Sequence, residues 1–194
     1  KKSEMEKKME NFVPRLIMEN TGLASFQGDI AQYFLRWFND PRIFLHMGDI
    51  DQFPFSAEDV KRYIEAHRKD TWIIVAKEKN NWIPIDYSGL FIRSRHRVGI
   101  IRNAIGEKEY LRKGYATRAK ILTLSWAFNE CDLVSVISSV SSSNKANSEL
   151  CLKVGFKECG RYKDARFEDG KRYDEIHLQI TRREFYEKYP NFSK

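Results

Sequence analysis

The sequence predicts a single α/β domain: a mixed sheet with helices packed on its faces. Apolar periodicity switches between strand-like and helix-like stretches in the order β α α β β β α β α β β α. Strands on both sides of helices in one compact unit require a mixed sheet. The 194 residues suit one domain of ordinary size, and no repeat, low-complexity linker or boundary divides residues 1–194. Apolar residues make up 42% and aromatic residues 13%, enough for a substantial core.

Residues 1–11 read as a charged N-terminal extension lacking the apolar run of a signal peptide, so a cytoplasmic protein is expected. Val13–Glu19 is apolar enough for a strand. Gly28–Asn39 reads as a helix with Ile30, Phe34, Trp37 and Phe38 on one face, stopped by Asn39-Asp40-Pro41. Ser56, with Asp59 three positions on, caps a helix that carries Val60, Tyr63, Ile64 and His67 at helical spacing to about Lys69. Trp72–Ala76 and Ile83–Ile92 flank an Asn80-Asn81 turn as a hairpin, with Gly89 a candidate bulge. Val98–Ile105 is a strand, and Lys113–Asn129 is a long helix with Tyr115, Ala119, Leu122 and Trp126 on one stripe. Leu133–Ser139 is a continuous apolar run suited to a central strand. Asn144–Val154 is a helix capped by Ser143 or Asn144 and stopped by Gly155. Phe156–Phe167 and Lys171–Thr181 pair about Glu168-Asp169-Gly170, and a helix over Thr181–Tyr189 closes the chain.

The net charge of +7 admits nucleic acid, anionic lipid or a phosphorylated ligand as partner. All of the excess lies between Arg93 and Lys120. There Arg93, Arg95, Arg97, Arg102, Lys108, Arg112, Lys113, Arg118 and Lys120 are set against only Glu107 and Glu109. No apolar run approaches the ~20 residues of a membrane-spanning helix. Cys131, Cys151 and Cys159 are an odd number in a chain this long, so no disulfide framework is expected and a reducing compartment fits. His46, His67, His96 and His177 lack metal-ligand spacing, and no metal is expected.

The basic segment contains a strand, then Lys108-Glu109-Tyr110-Leu111-Arg112-Lys113-Gly114-Tyr115-Ala116-Thr117, then an amphipathic helix. A helix start offers unpaired amides and a positive dipole end, and small residues such as Gly114 and Ala116 let phosphate oxygens approach them. Neither a Walker loop nor a Gly-x-Gly-x-x-Gly fingerprint is present. A solvated basic helix start is the plain alternative. Downstream, Asn144, Asn147 and Cys151 share one face of the helix after the central strand, and Lys153-Val154-Gly155-Phe156 runs from its end into the next strand.

With these motifs in this order, the chain resembles the GNAT superfamily of acetyl-CoA-dependent N-acetyltransferases. The branch is that of the RimJ/RimL-like ribosomal-protein alanine acetyltransferases, spermidine acetyltransferases and amino-sugar acetyltransferases. Trp37-Phe38-Asn39-Asp40-Pro41, the Ser56–Ile64 helix, Ile105–Thr117, Asn144 with Gly155-Phe156, and Asp169–Ile176 carry the resemblance over nearly the whole chain. It implies the acyl-CoA N-acyltransferase fold, a mostly antiparallel twisted sheet with helices on both faces. It also implies acetyl-CoA as co-substrate and an amine as acceptor. The family loop, Arg/Gln-x-x-Gly-x-Gly/Ala, falls on Leu111, Gly114 and Ala116, with Leu111 departing from it. Cofactor contacts are thereby expected from Leu111, Arg112, Lys113, Gly114, Tyr115, Ala116 and Thr117, from the backbone of Asn103, Ala104 and Ile105 where the family splays two strands, and from Asn144 with Asn147.

In the implied reaction a neutral amine attacks the thioester and coenzyme A leaves as a thiolate. A base, an oxyanion donor and an acid are needed. Many relatives carry Tyr where this chain has Cys151, which could protonate the leaving sulfur, pack beside it or leave the step to water; Ser148 is a second candidate donor. For the base, the strand before the loop has no carboxylate, so a water chain or a residue from elsewhere such as Asp86 would serve. The four histidines read more readily as surface or packing residues. Asp49, Asp51 and Asp174 could attract a cationic amine, or be ordinary turn residues. The expected acceptor is a polyamine, an amino sugar or a protein N-terminus, and a homodimer is possible by the habit of relatives. The competing reading is a non-catalytic basic nucleic-acid-binding or regulatory protein on the same fold. The lack of aromatic interleaving beyond Tyr110 and Tyr115 weighs against it.

Overall fold

The computed structural model describes residues 11–44, 54–103 and 105–193. Its eight strands form one sheet in the order β1-β2-β3-β4-β5-β6-β8-β7. In chain order the elements are β1 Pro14–Met18, β2 Thr21–Ala24, α1 Ile30–Phe38, α2 Pro41–Phe44, α3 Ala57–His67, β3 Thr71–Glu78, β4 Asn81–Arg93, β5 Val98–Asn103, α4 Tyr115–Asn129, β6 Ser135–Ser141, α5 Lys145–Val154, β7 Lys157–Glu168, β8 Lys171–Thr181 and α6 Arg182–Lys188. Every pairing is antiparallel except β5 with β6. The expected mixed, mostly antiparallel sheet with helices on its faces is what forms. Residues 1–10 of the N-terminal extension, His46, Asp49, Asp51 and Ala104 lie outside the described residues.

Two elements go beyond the sequence expectation. β2 is four fully buried residues that pair with both β1 and β3, too short to show a period of its own. The single turn α2 begins at Pro41, where proline suits a helix start. The bulge in β4 is not at Gly89, which keeps continuous register with Arg102. It falls where the register shifts between Ile74 and Val75, opposite Pro84–Asp86. Pro84 has no N–H to give the ladder, and the displaced Ile85 carbonyl accepts the amides of Gly106 and Glu107 at 3.2 Å each.

Three apolar clusters fill the layers. One lies between α4, α5, α6 and the β5-β6-β8 part of the sheet, with Phe128, Phe156, Leu178, Ile180 and Phe185 at its centre. A second joins α1 and α3 to the opposite sheet face through Phe34, Trp37, Phe38, Val60 and Tyr87. A third packs Tyr115, Ala119 and Leu122 of α4 on Leu23, Ile74 and Ile85. α4 is thus buried well beyond the expected stripe, since Ile121, Leu124, Ala127 and Phe128 also face the core.

β5 and β6 are hydrogen-bonded only over Val98–Ile100 and Ser135–Ile137. Beyond that the pairing stops, leaving Ile101–Asn103 and Ser138–Ser139 on opposite walls of an opening.

Candidate active site

The opening leads into a cleft of about 850 Å³ bounded by the β5 end, the start of α4, β6 and α5. Gly114 is the N-cap of α4, with φ of +84°, no side-chain cap and no acidic residue in the first turn, so the leading amides of the helix are left for a ligand. The left-handed backbone at Gly114 is why this position requires glycine. Arg112, two residues before it, also has positive φ, at 59°.

Most of the expected cofactor residues line this cleft: Asn103, Ile105, Leu111, Arg112, Gly114, Tyr115, Ala116, Thr117, Asn144 and Asn147. Asn144 caps α5 by accepting the Asn147 amide at 3.2 Å, which leaves its side-chain N–H groups for another partner. Asn103 donates to Ser88 Oγ at 3.1 Å, and its buried Oδ1 has no partner. Lys113 is not on the wall; its ammonium lies over the Tyr110 ring at 6.0 Å. Tyr110 and Tyr115 meet edge to face, and desolvation holds both phenols above their ordinary range.

Neither candidate acid is on the wall. Cys151 is fully buried, with no surface in the cleft. Its Sγ lies 3.3 Å from Lys120 Nζ, which is itself 1% exposed and 5.6 Å over the Phe156 ring. Ser148 Oγ is buried without a partner and also lies off the wall.

The carboxylates proposed from sequence occupy other places. Asp86 is opposite Ile74, under α4, and is absent from the walls of the cavities. It is fully buried, and desolvation raises its carboxyl well above the usual range, against the amides of Tyr87 and Gly106. Asp174 is held by Lys163 at 2.9 Å and Arg161 at 3.2 Å, with Lys163 the main reason its acidity is strengthened. It ties the β7-β8 hairpin rather than facing either cavity.

A second cavity, of about 610 Å³, opens on the α1/α3 face of the sheet. Its walls include Phe55, Tyr63, His67, Asp70, Tyr87 and Phe91. Asp59 also lines it, kept anionic first by the hydrogen bond from Ser56 in a capping box. Tyr87, Ile100 and Arg102 are shared by both cavities, so the two meet there. Burial pushes the Tyr87 phenol well up and Tyr63 up as well, so both are hydrogen-bonding phenols rather than bases.

Sequence segments far apart converge to hold this junction. The Trp37 indole donates to Glu107 at 2.9 Å and its ring covers Gly106, where a Cβ would come within 2.5 Å of it. Arg36 also pairs with Glu107. Asn39 bonds the Phe55 backbone in both directions, at 3.0 and 2.9 Å. Cleft residues that sequence reasoning missed include Ser138, Ser139, Lys153 and Arg166, whose positions follow from strand register.

A parted strand pair, an uncapped glycine-led helix start and two cavities meeting between them define an enzyme that transfers an acyl group from a coenzyme A thioester. The chain belongs to the GNAT acetyltransferase family: the family model described as acetyltransferase (GNAT) domain matches residues 22–157. It is an acetyl-CoA-dependent N-acetyltransferase. Its fold is similar to that of the spermidine N-acetyltransferase from Vibrio cholerae in complex with CoA and spermine, with a TM-score of 0.75 and 18% identity over 87% of this chain and 99% of that one. An acetyltransferase of the GNAT family from Bacillus anthracis gives a TM-score of 0.73 and 17% identity over 89% and 98%. No curated protein matches the sequence.

Proposed function

We propose that the enzyme moves the acetyl group of acetyl-CoA to a primary amine of a small molecule, or to a protein N-terminus, by direct attack in a ternary complex. The observation that carries this reading is the meeting of the two cavities at Tyr87, Ile100 and Arg102. Acetyl-CoA enters from the α4 side with its pyrophosphate on the amides of residues 114–117, and its pantetheine arm lies between the parted ends of β5 and β6. The amine enters from the α1/α3 side. No covalent acyl-enzyme is needed, because both substrates reach the junction at once.

Polyamines and amino sugars are the first acceptors to try. Aromatic walls at Phe55, Tyr63 and Phe91 with Asp59 and Asp70 suit a cationic, partly apolar amine. The structurally similar Vibrio protein is described with spermine. Thiol release from acetyl-CoA, followed with spermidine, glucosamine, benzylamine and an alanine-led peptide, tests the reading. Turnover of at least one supports it; coenzyme A binding with no release on any primary amine overturns it.

A further inference from the structure

The reaction needs a proton acceptor for the incoming ammonium, and the wall of the cleft offers one that has no carboxylate on β5. Ser139 on β6 and His177 on β8 are cross-strand partners, so their side chains share one sheet face. Ser139 Oγ is 3.2 Å from His177 Nδ1. His177 Nε2, sealed from solvent, is 3.0 Å from Glu175 Oε1 along an approach too oblique for an aligned hydrogen bond. Glu175 is held from its other oxygen by Arg166 Nε at 2.5 Å.

The face is the one that meets the acceptor. Ile137, two residues before Ser139, pairs with Ile100, which lines both cavities. Ser139 and Arg166 both line the cleft, while His177 and Glu175 stand behind Ser139.

We propose that Ser139, His177 and Glu175 form the proton relay that deprotonates the acceptor ammonium. The relay rests on the N-acetyltransferase reading above. The Glu175 carboxylate 3.0 Å from Nε2 attracts the imidazole proton to that side of the ring by charge, which leaves Nδ1 as the base. One N–H proton of the ammonium passes to Ser139 Oγ as the serine proton passes to His177 Nδ1, and the serine is regenerated. The neutral amine then attacks the acetyl carbon. A C–N bond forms, the C–S bond breaks, coenzyme A departs with the electron pair, and the proton still in excess on nitrogen passes to the departing thiolate, leaving a neutral amide and the coenzyme A thiol. The imidazolium formed at His177 faces the Glu175 carboxylate, which stabilises it.

Other groups around the ring are consistent with this role. From β7, the Tyr162 ring lies against the imidazole at 4.6 Å, Cys159 Sγ contacts the His177 carbonyl, and Arg166 acts through Glu175. From β6 the contact is Ser139. Arg166 and Glu175 are positioning residues: they fix the side of the ring that holds its proton.

The test uses the full chain with the amine from the panel that turns over fastest. His177→Gln is expected to lower kcat about 100-fold or more, leave KM for acetyl-CoA unchanged and remove the acidic limb of the kcat/KM profile. Added imidazole should restore part of the rate to His177→Gly. Glu175→Gln is expected to lower kcat and displace the acidic limb, whereas loss of a merely structural contact would leave that limb in place. Unchanged kcat or an unchanged acidic limb in His177→Gln overturns the relay. Should the variants not fold, or no amine turn over, nitrogen NMR of the wild-type ring decides. A neutral imidazole carrying its proton on Nε2 supports the relay, and a proton on Nδ1 overturns it. That readout needs no acceptor, so failure of the relay and failure of the acetyltransferase reading are distinguishable.

Discussion

Lys120 belongs to the basic stretch in sequence and to the apolar core in space. Its stem passes inward from α4 and its ammonium ends between the Cys151 sulfur and the Phe156 ring, so its charge is not available to a ligand in the cleft. Replacing a buried cation by an apolar chain of similar shape is commonly neutral or stabilising. Lys120→Met is therefore expected to raise the thermal midpoint by about 2–4 °C, the scale of ~1 kcal/mol in a chain of this size, with unchanged coenzyme A affinity by calorimetry. Cys151→Ala is expected to destabilise by about 1–2 kcal/mol, through a small cavity and a less well solvated ammonium, while kcat stays within a few-fold of wild type. A loss of 100-fold in kcat with the fold intact would place the thiol in the chemistry after all. Asp86 gives a pH signature. Its folded carboxyl is raised above the ordinary 3.8, so its contribution is fully present below that value and is lost as pH rises through the higher folded value. Asp86→Asn keeps the neutral form at every pH. Its melting temperature should gain on wild type as pH rises from 4 toward 8, and a pH-independent difference would contradict the burial argument.

At the level of elements, the glycine-led start of α4 is the most sensitive joint. Gly114→Leu must hold a side chain at φ of +84° and place a Cβ 2.8 Å from the Arg118 guanidinium, so coenzyme A affinity is expected to fall more than 10-fold while circular dichroism stays native. The other well-defined joint is α6, whose capping box pairs Thr181 with Glu184. Lys157, then the Thr181 backbone and hydroxyl, hold the Glu184 carboxyl down at about 2. A depressed carboxyl stabilises above its unfolded value and loses that contribution as pH falls through the folded one, so Thr181→Ala should cost about 1 kcal/mol at pH 7 and less at pH 2 in denaturant melts. Much of this was legible in the sequence because the signals are local. Gly114 and Ala116 at a helix start, Ser56 with Asp59, and Asn144 followed by Gly155 each declare themselves within about three turns or fewer. What was not legible depends on register. β2 is too short for periodicity, the bulge answers to Pro84 and a carbonyl captured from 21 residues away, and Ser139 meets His177 only because β6 and β8 pair as they do. Cys151 was placed in the chemistry by the position where relatives carry Tyr and Asp86 by residue type; the side of α5 that packs on Lys120 buries the first, and the sheet face that packs on α4 buries the second.

For the whole molecule, the basic segment divides into two fields. Arg93, Arg95 and Arg97 lie at the β4-β5 turn, whereas Lys108, Arg112, Lys113 and Arg118 lie at the other end of β5. Six residues of strand separate the ends by roughly 17 Å, about twice the screening length in physiological salt. Arg112→Glu is expected to weaken coenzyme A binding several-fold in a salt-dependent way, and Arg95→Glu to change it little; equal effects would mean that the charge acts as one field. The two ends of the sheet differ just as sharply. β7 is a long outer strand, exposed along most of its length, studded with Lys157, Glu158, Arg161, Lys163, Asp164, Arg166 and Glu168, and interrupted twice in register. β1 is five residues opened by a proline, with Ile17 55% exposed and Val13 just before it 70% exposed. Growth of a filament by adding sheet to sheet would need two mutually accepting ends, and a strand this charged and irregular refuses the role. Of the two outer strands, β1 carries less charge, so β1 against β1, a contact that two-fold symmetry closes at two molecules, is opposed less by charge than a contact through β7.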